Sequence, residues 1–260
     1  MFKQDFSIHT HTSFSDGCNS PEEMIIAAQN TGFKTLGISD HFYAIEHDLP
    51  KYIKNIRSAQ AKYGINVLVG AEIDRPTPSM LEKLYKIKRT YGFDYFIAAL
   101  HTVPFQGAEY YVGNNQFTNI IQCDEYQKQY WTLLSELSSD VFDIIAHLDL
   151  IKISGVKTEH RFTEEIKRAL SLFKKNNQIV EINTKFSLTE NQPSDTILAQ
   201  IAKLGIPIIF SSDAHINNKI GYRFNEEIIR TTQSVPLLKH INTTETFIKF
   251  LNQRKNLCSR

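Results

Sequence analysis

The sequence predicts an α/β fold of parallel strands and helices, most simply a TIM-like barrel. Three observations predict it. Short apolar, β-branched runs alternate with amphipathic stretches along the chain, one strand–helix unit every roughly 30 residues. Runs such as Val67-Leu68-Val69 and Ile206–Phe210 are apolar at consecutive positions, as parallel strands covered on both faces must be. A length of 260 residues suits one barrel.

The first strand is expected over Asp5–His9. A helix follows over Pro21–Thr31: Ser20 suits the cap, Pro21 the first helical position, and Gly32 the end. Strand Lys34–Ser39 leads to a helix over Leu49–Tyr63 closed by Gly64, and strand Asn66–Ile73 to a helix over Ser79–Tyr91 closed by Gly92. After strand Phe93–Leu100 comes the longest irregular stretch, Thr102–Cys123, expected to be a substrate-facing loop. A helix over Asp124–Leu137 follows. Strand Phe142–His147 precedes a helix over Thr163–Lys175, with Thr163 as its cap before Glu164-Glu165. Strand Gln178–Asn183, a helix over Ser194–Leu204 closed by Gly205, and strand Pro207–Ser212 complete the series. Parallel neighbours joined this way need right-handed crossovers. An open doubly wound sheet fits the same alternation, but its glycine-rich phosphate loop is missing after the first strand. No linker or repeat interrupts the chain, so residues 1–260 are read as a single domain.

Composition narrows the function classes. Twenty-nine Lys+Arg against 28 Asp+Glu leave a formal charge of +1, and 42% of residues are hydrophobic. That supports a sizeable core and argues against disorder. It argues equally against bulk electrostatic binding of nucleic acid or anionic membranes. A transmembrane run of about eighteen apolar residues is lacking, as is a signal-peptide core after Met1. Cys18, Cys123 and Cys258 are scattered without C-x-x-C spacing, which fits free thiols and an expected cytoplasmic location. The placement of the nine histidines is more informative.

His9-Thr10-His11 ends the first strand, where residues i and i+2 share a face and can reach one metal. An isolated pair would as readily be hydrogen-bonded in place. The pattern recurs, however. Ser39-Asp40-His41, Gly70-Ala71-Glu72, Leu100-His101, Ala146-His147 and Ser212-Asp213-Ala214-His215 each fall where a strand should end, and Asp16 follows the first strand. In a barrel those ends converge on the rim that carries active sites. Imidazole and carboxylate donors without thiolates suit zinc, manganese or iron. Nine ligands exceed the needs of one four- to six-coordinate ion, so two to three divalent ions are implied. A shared carboxylate holds two such ions about 3.5–4 Å apart, a spacing suited to phosphate-ester hydrolysis.

Together, H-x-H…D, S-D-H, G-x-E, L-H, A-H and S-D-A-H resemble the polymerase-and-histidinol-phosphatase (PHP) family, in order and over essentially the whole chain. The text Ala146–Ile151, Glu181-Ile182-Asn183-Thr184, Ser211–His215 and Gly221–Phe224 is most similar to the monofunctional histidinol-phosphate phosphatases, which implies a distorted (β/α)7 TIM-like barrel. The resemblance further implies a trinuclear site: His9, His11, Glu72 and Asp213 on one ion, a bridging Glu72 with His101 and His147 on a second, and Asp16, His41 and His215 on a third. The implied substrate is a small phosphate monoester, attacked in line by a hydroxide bridging two ions. Three divalent ions against Asp16, Glu72 and Asp213 would leave the pocket locally about +3 in an otherwise neutral chain.

A basic leaving alkoxide calls for a proton donor, for which Asp213, His215 and Asp40 are candidates. The subgroup would carry an arginine soon after Glu181-Ile182-Asn183-Thr184, but this chain has Lys185, which supplies charge without the bidentate fork. Arg161, Lys185, Lys152 and Arg223 are the candidates for holding phosphate. Glu109 or Asp124 would meet the amine of histidinol phosphate, and Phe105, Tyr110 or Phe117 its ring. Asp149 would orient His147 or cap the following turn; His47, His160 and His240 read as surface residues, and Tyr126, Tyr130 and Trp131 as helix packing. The competing reading is a PHP-type enzyme acting on a nucleotide or oligonucleotide phosphodiester.

Overall fold

All seven expected strands form; six are shortened, and the one expected over Asn66–Ile73 runs one residue further, to Asp74. The structure is a computed structural model describing residues 4–113, 120–154, 159–185 and 193–257. Its strands are β1 (Phe6–Ser7), β2 (Thr35–Ile38), β3 (Asn66–Asp74), β4 (Tyr95–Ala99), β5 (Thr102–Phe105), β6 (Ala108–Tyr111), β7 (Ile144–Ile145), β8 (Ile179–Asn183), β9 (Pro207–Ser211) and β10 (Lys239–His240). Its helices are α1 (Pro21–Asn30), α2 (Phe42–Ile45), α3 (Leu49–Gln60), α4 (Pro78–Tyr91), α5 (Ile120–Leu133), α6 (Thr163–Lys175), α7 (Asp195–Leu204), α8 (Phe224–Ser234) and α9 (Thr244–Leu257).

The main sheet runs β1-β2-β3-β4-β7-β8-β9-β10, with every neighbouring pair parallel. It curls until the segments that follow β1 and β9 meet: Thr10 bridges Ala214 in parallel, and the amide of His11 donates to the Ala214 carbonyl at 2.9 Å. The result is the distorted TIM-like barrel the sequence predicts.

Strand parity explains what the barrel holds. On β3, Leu68, Gly70 and Glu72 share one face; on β4 so do Tyr95, Ile97 and Ala99, and on β8 Ile179 and Glu181. Leu68, Tyr95, Ile97, Ala99, Ile144, Ile179 and Ile209 form one buried cluster with Phe6, Phe247, Phe250 and Leu251, and the outward parity packs under the helices. Gly70 has no side chain because the Tyr95 ring occupies its place: a Cβ there would lie 2.5 Å from Tyr95 Cε2. Helix α9, for which the sequence shows no clear periodicity, plugs the end where strands begin, with Phe247 stacked on Phe6 at 4.8 Å. Its Arg254, 2% exposed, donates to Asp143 Oδ1 at 3.0 Å and to the carbonyls of Asp140, Phe142, Asn176 and Asn177. One guanidinium thus satisfies chain ends around that rim. The opposite end, where strands finish, stays open to ligands.

Four expectations are corrected. Much of the stretch 102–123 is regular: Thr102–Phe105 and Ala108–Tyr111 pair as an antiparallel hairpin, and α5 already starts at Ile120. Gln106 and Gly107 turn the hairpin with φ of 49° and 80°, the left-handed pair of a type I′ turn, with Gln where Asn is the usual signal. Thr163 does not cap α6 but is its first residue, its hydroxyl donating to the His160 carbonyl. The C-terminal stretch holds α8 and α9. His240 is half-buried in β10, edge-on to Phe210 at 4.9 Å, and its Nε2–H donates to Gln4 Oε1. Phe117 and Phe186–Asn191 lie outside the described residues. Tyr126, Tyr130 and Trp131 are buried, as helix packing requires.

Burial pushes the His240 imidazole down to about 4. Below an unfolded value near 6.5 the unfolded chain binds the extra proton first, so stability is lost as pH falls from about 6.5 towards 4. Replacing His240 by Gln is expected to remove on the order of 2 kcal/mol of that acid sensitivity. Denaturant unfolding at pH 7.5 and 4.5 checks this; equal pH dependence in both proteins would refute it.

Candidate metal centre

The nine candidate ligands converge at the open end of the barrel. Glu72, 2% exposed, sits at the centre. Its oxygens lie 3.4 Å from His9 Nε2, 3.5 Å from His11 Nε2, 3.0 Å from His41 Nδ1, 3.5 Å from His101 Nε2 and 3.0 Å from His147 Nε2. Asp213 lies 3.7 Å from His9, 3.2 Å from His11 and 3.4 Å from His215. Asp16 lies 3.6 Å from His11, 3.5 Å from His41 and 3.1 Å from His215.

Among the described residues, three overlapping groups bring ligand atoms within 4.8 Å of one another. They are His11/Asp16/His41/His215, His9/His11/Glu72 and His41/Glu72/His101. Buried His9 Nε2, both nitrogens of His11, and His147 Nδ1 have no hydrogen-bond partner among the described residues. Buried orphan nitrogens cost stability unless a ligand satisfies them. Their convergence with carboxylates, in an N/O donor set, fits divalent metal ions.

The backbone is forced to deliver these groups. His147, after β7, and Asp213, after β9, take φ of 25° and 44°, in the sparsely populated left-handed region where strain is a mark of functional sites. Asp40 is fully buried and builds the ligand loop instead of lining it: it accepts from the Thr12 amide (2.7 Å), the Thr12 hydroxyl (2.8 Å) and the Ser15 hydroxyl (2.6 Å). Gly17 closes that loop, since a Cβ there would lie 2.5 Å from the His11 carbonyl. His215 donates from Nδ1 to the Asp213 carbonyl at 2.9 Å, which aims Nε2 at Asp16.

Electrostatics follows the geometry. Burial opposes charge on His41, yet the flanking Asp16 and Glu72 raise its pKa to about 10. Burial, reinforced by His147 and His41, lowers His101 to about 3. Burial alone would raise Glu72 and Asp213, but the surrounding imidazoles hold both well below the usual carboxylate range.

Glu181 completes the arrangement, and the sequence reading did not single it out. Fully buried on β8, it accepts from His9 Nδ1–H at 2.6 Å and from the Ser211 hydroxyl on one oxygen, and from the His147 amide at 2.8 Å on the other. The available signal was a glutamate on the inward parity of an otherwise apolar strand. Asp149 does not support His147; it accepts from the Ser194 amide at 2.9 Å and pairs with Lys152. Of the four phosphate candidates, Lys185 is the one with a described contact to ligands: its Nζ lies 3.1 Å from Asp213 Oδ2 and 3.4 Å from His215 Nδ1. Arg161 pairs with Asp124, Lys152 with Asp149 and Arg223 with Glu226.

The profile of the PHP domain matches residues 6–185, which span seven of the nine candidate positions, from His9 to His147, but stop short of Asp213 and His215 in the final motif. The chain belongs to the PHP domain family. A protein of Deinococcus radiodurans described as a probable histidinol-phosphatase is 26% identical over 247 residues, covering 85% of this chain and 90% of that protein. One of Schizosaccharomyces pombe with the same description is 25% identical over 243 residues, covering 78% of each. The PHP fold here is also similar to the crystal structure of histidinol phosphate phosphatase from Lactococcus lactis, solved with zinc, L-histidinol and phosphate. The TM-score is 0.69 at 18% identity, covering 92% of this chain and 95% of that one. Among the described residues, no helix is long and apolar enough to cross a membrane.

Proposed function

We propose that this PHP protein is a metal-dependent phosphomonoesterase that hydrolyses L-histidinol phosphate to L-histidinol and phosphate. The observation that carries the reading is the set of three overlapping donor groups, two of which share Glu72. Relatives described as probable histidinol-phosphatases, matched over most of their length, support the substrate. So does the zinc, L-histidinol and phosphate bound by the L. lactis enzyme.

Three ions are proposed, held by His9, His11, Glu72 and Asp213; by Glu72, His101 and His147; and by Asp16, His41 and His215. When bound, such ions activate water at neutral pH and neutralise phosphoryl oxygens. The chain's own residues do the rest. Lys185, at the Asp213–His215 edge, meets a phosphate oxygen and supplies its point charge. The Nδ1–H bond of His215 to a carbonyl fixes the tautomer of a ligand rather than of a proton donor. Asp40, with both oxygens engaged, holds the Asp16 loop in place. With α9 plugging the barrel that β1 begins, the chain is read as one domain, and free Cys18 and Cys123 suit the cytoplasm.

Elemental analysis of the purified protein, combined with phosphate release from L-histidinol phosphate, tests this. The expected result is stoichiometric zinc, iron or manganese and turnover that disappears on chelation and returns with metal. Faster hydrolysis of a nucleotide phosphodiester would move the substrate to the competing reading. Turnover indifferent to chelation would end the metal mechanism.

A further inference from the structure

The end of the barrel where strands begin carries a cavity of about 300 Å³, lined by the last turns of α4, the turn into β4, the segment before β7, and α9. Phe93, Val141 and the ring of half-buried Tyr85 give it an apolar side. Lys88, Arg89, Arg254 and Lys255 line it as well, and among the described residues Asp143 is the one acidic side chain that does so. Basic residues in the last turn of a helix are ordinarily explained by its dipole, and α4 and α9 each end in such a pair. The dipoles do not explain why both pairs meet at one cavity, nor what their donors bond to.

Counting donors separates the cations held by the fold from those left over. Arg254 is fully engaged: its guanidinium donates to Asp143 Oδ1 and to four carbonyls. Lys88 donates to the Val141 carbonyl at 2.9 Å and to Asp143 Oδ2, which leaves one of its three N–H groups over on a side chain 15% exposed. Arg89 and the Tyr85 hydroxyl have no hydrogen-bond or ion-pair partner among the described residues. Because Lys88 and Arg254 share the single charge of Asp143, positive charge is in excess around the apolar side.

We infer that this cavity is a second ligand site, for a small organic anion with a flat apolar body, such as an aromatic carboxylate. The ring lies against Tyr85, Phe93 and Val141, while the carboxylate takes the fork of Arg89 and the remaining N–H of Lys88. The volume stands at the lower end of the roughly 300–1,000 Å³ of small-molecule sites, room for one ring and its acid group. The site lies at the opposite end of the barrel from Glu72 and does not depend on the phosphatase reading.

The test titrates the purified, metal-loaded protein with para-fluorobenzoate, followed by fluorine NMR. Saturable binding is expected. Acetate, which lacks the ring, should compete at least about tenfold more weakly, and para-fluorobenzylamine, which reverses the charge, should bind at least about tenfold more weakly. Arg89→Ala is expected to weaken para-fluorobenzoate about tenfold, the loss of a charge-assisted hydrogen bond, with turnover of histidinol phosphate unchanged. Tyr85→Ala is expected to narrow the margin over acetate. Wild-type affinity in Arg89→Ala overturns the site, as does equal binding of the amine. Affinity that falls in Lys185→Ala instead of Arg89→Ala places the anion beside Asp213 and His215, which also overturns it.

Discussion

Replacing Glu72 by Ala is expected to cost the enzyme its bound metal and at least about 10³-fold in kcat/KM. That factor corresponds to losing several kcal/mol of charge stabilisation in the transition state. Five imidazoles lie within 3.5 Å of this one carboxylate. Its removal takes the shared donor from two of the three groups. The imidazoles then face one another without the negative charge that holds them together, so occupancy should fall at several positions at once. Glu72→Gln separates charge from packing: it keeps the volume and loses the charge, and it is expected to be nearly as damaging. Metal content by elemental analysis and phosphate release from histidinol phosphate read both effects. Wild-type metal content in Glu72→Ala would mean that the side chain bridges nothing.

The convergence of the candidate donors was legible in the sequence because strand ends and barrel topology determine the same positions. His101 and His147 follow strands, and parallel strands bring such ends to one rim whatever lies between. Period-two alternation carried further than it was used. Glu72 and Glu181 lie on inward faces, but only Glu72 sat at a strand end and stood out. Glu181, in mid-strand, required the reasoning that a carboxylate turned into a barrel must have a buried partner. The phosphate cations were not legible. Arg161, Lys152 and Arg223 are single long side chains whose partners, Asp124, Asp149 and Glu226, are settled by local packing that periodicity does not describe. The plug helix α9 was missed because only Phe247, Phe250 and Leu251 of its polar sequence enter the barrel end. The hairpin was missed because Gln106-Gly107 is an uncommon spelling of a common turn.

Glu181→Gln should damage the same centre by a different route, and the difference is diagnostic. The native carboxylate only accepts: from His9 Nδ1–H and the Ser211 hydroxyl on one oxygen, and from the His147 amide on the other. Glutamine has almost the same shape but offers one acceptor and one donor. With its NH2 towards His9, two donors face each other, and His9 is driven to the tautomer that carries hydrogen on Nε2, the nitrogen required for the metal. With its NH2 towards His147, the amide of a residue already held at φ 25° loses its acceptor. Neither orientation satisfies both, so a buried polar group is left unpaired at about 1–3 kcal/mol. Metal affinity or activity should fall about 10–100-fold, as when other groups that orient ligands are removed. Because the ligands themselves remain, excess zinc is expected to restore most turnover to Glu181→Gln and none to Glu72→Ala. Zinc titration of both variants with phosphate release as the readout tests the contrast. If Glu181→Gln binds zinc with wild-type affinity, its carboxylate serves folding alone, and His9 and His147 are positioned by their strands.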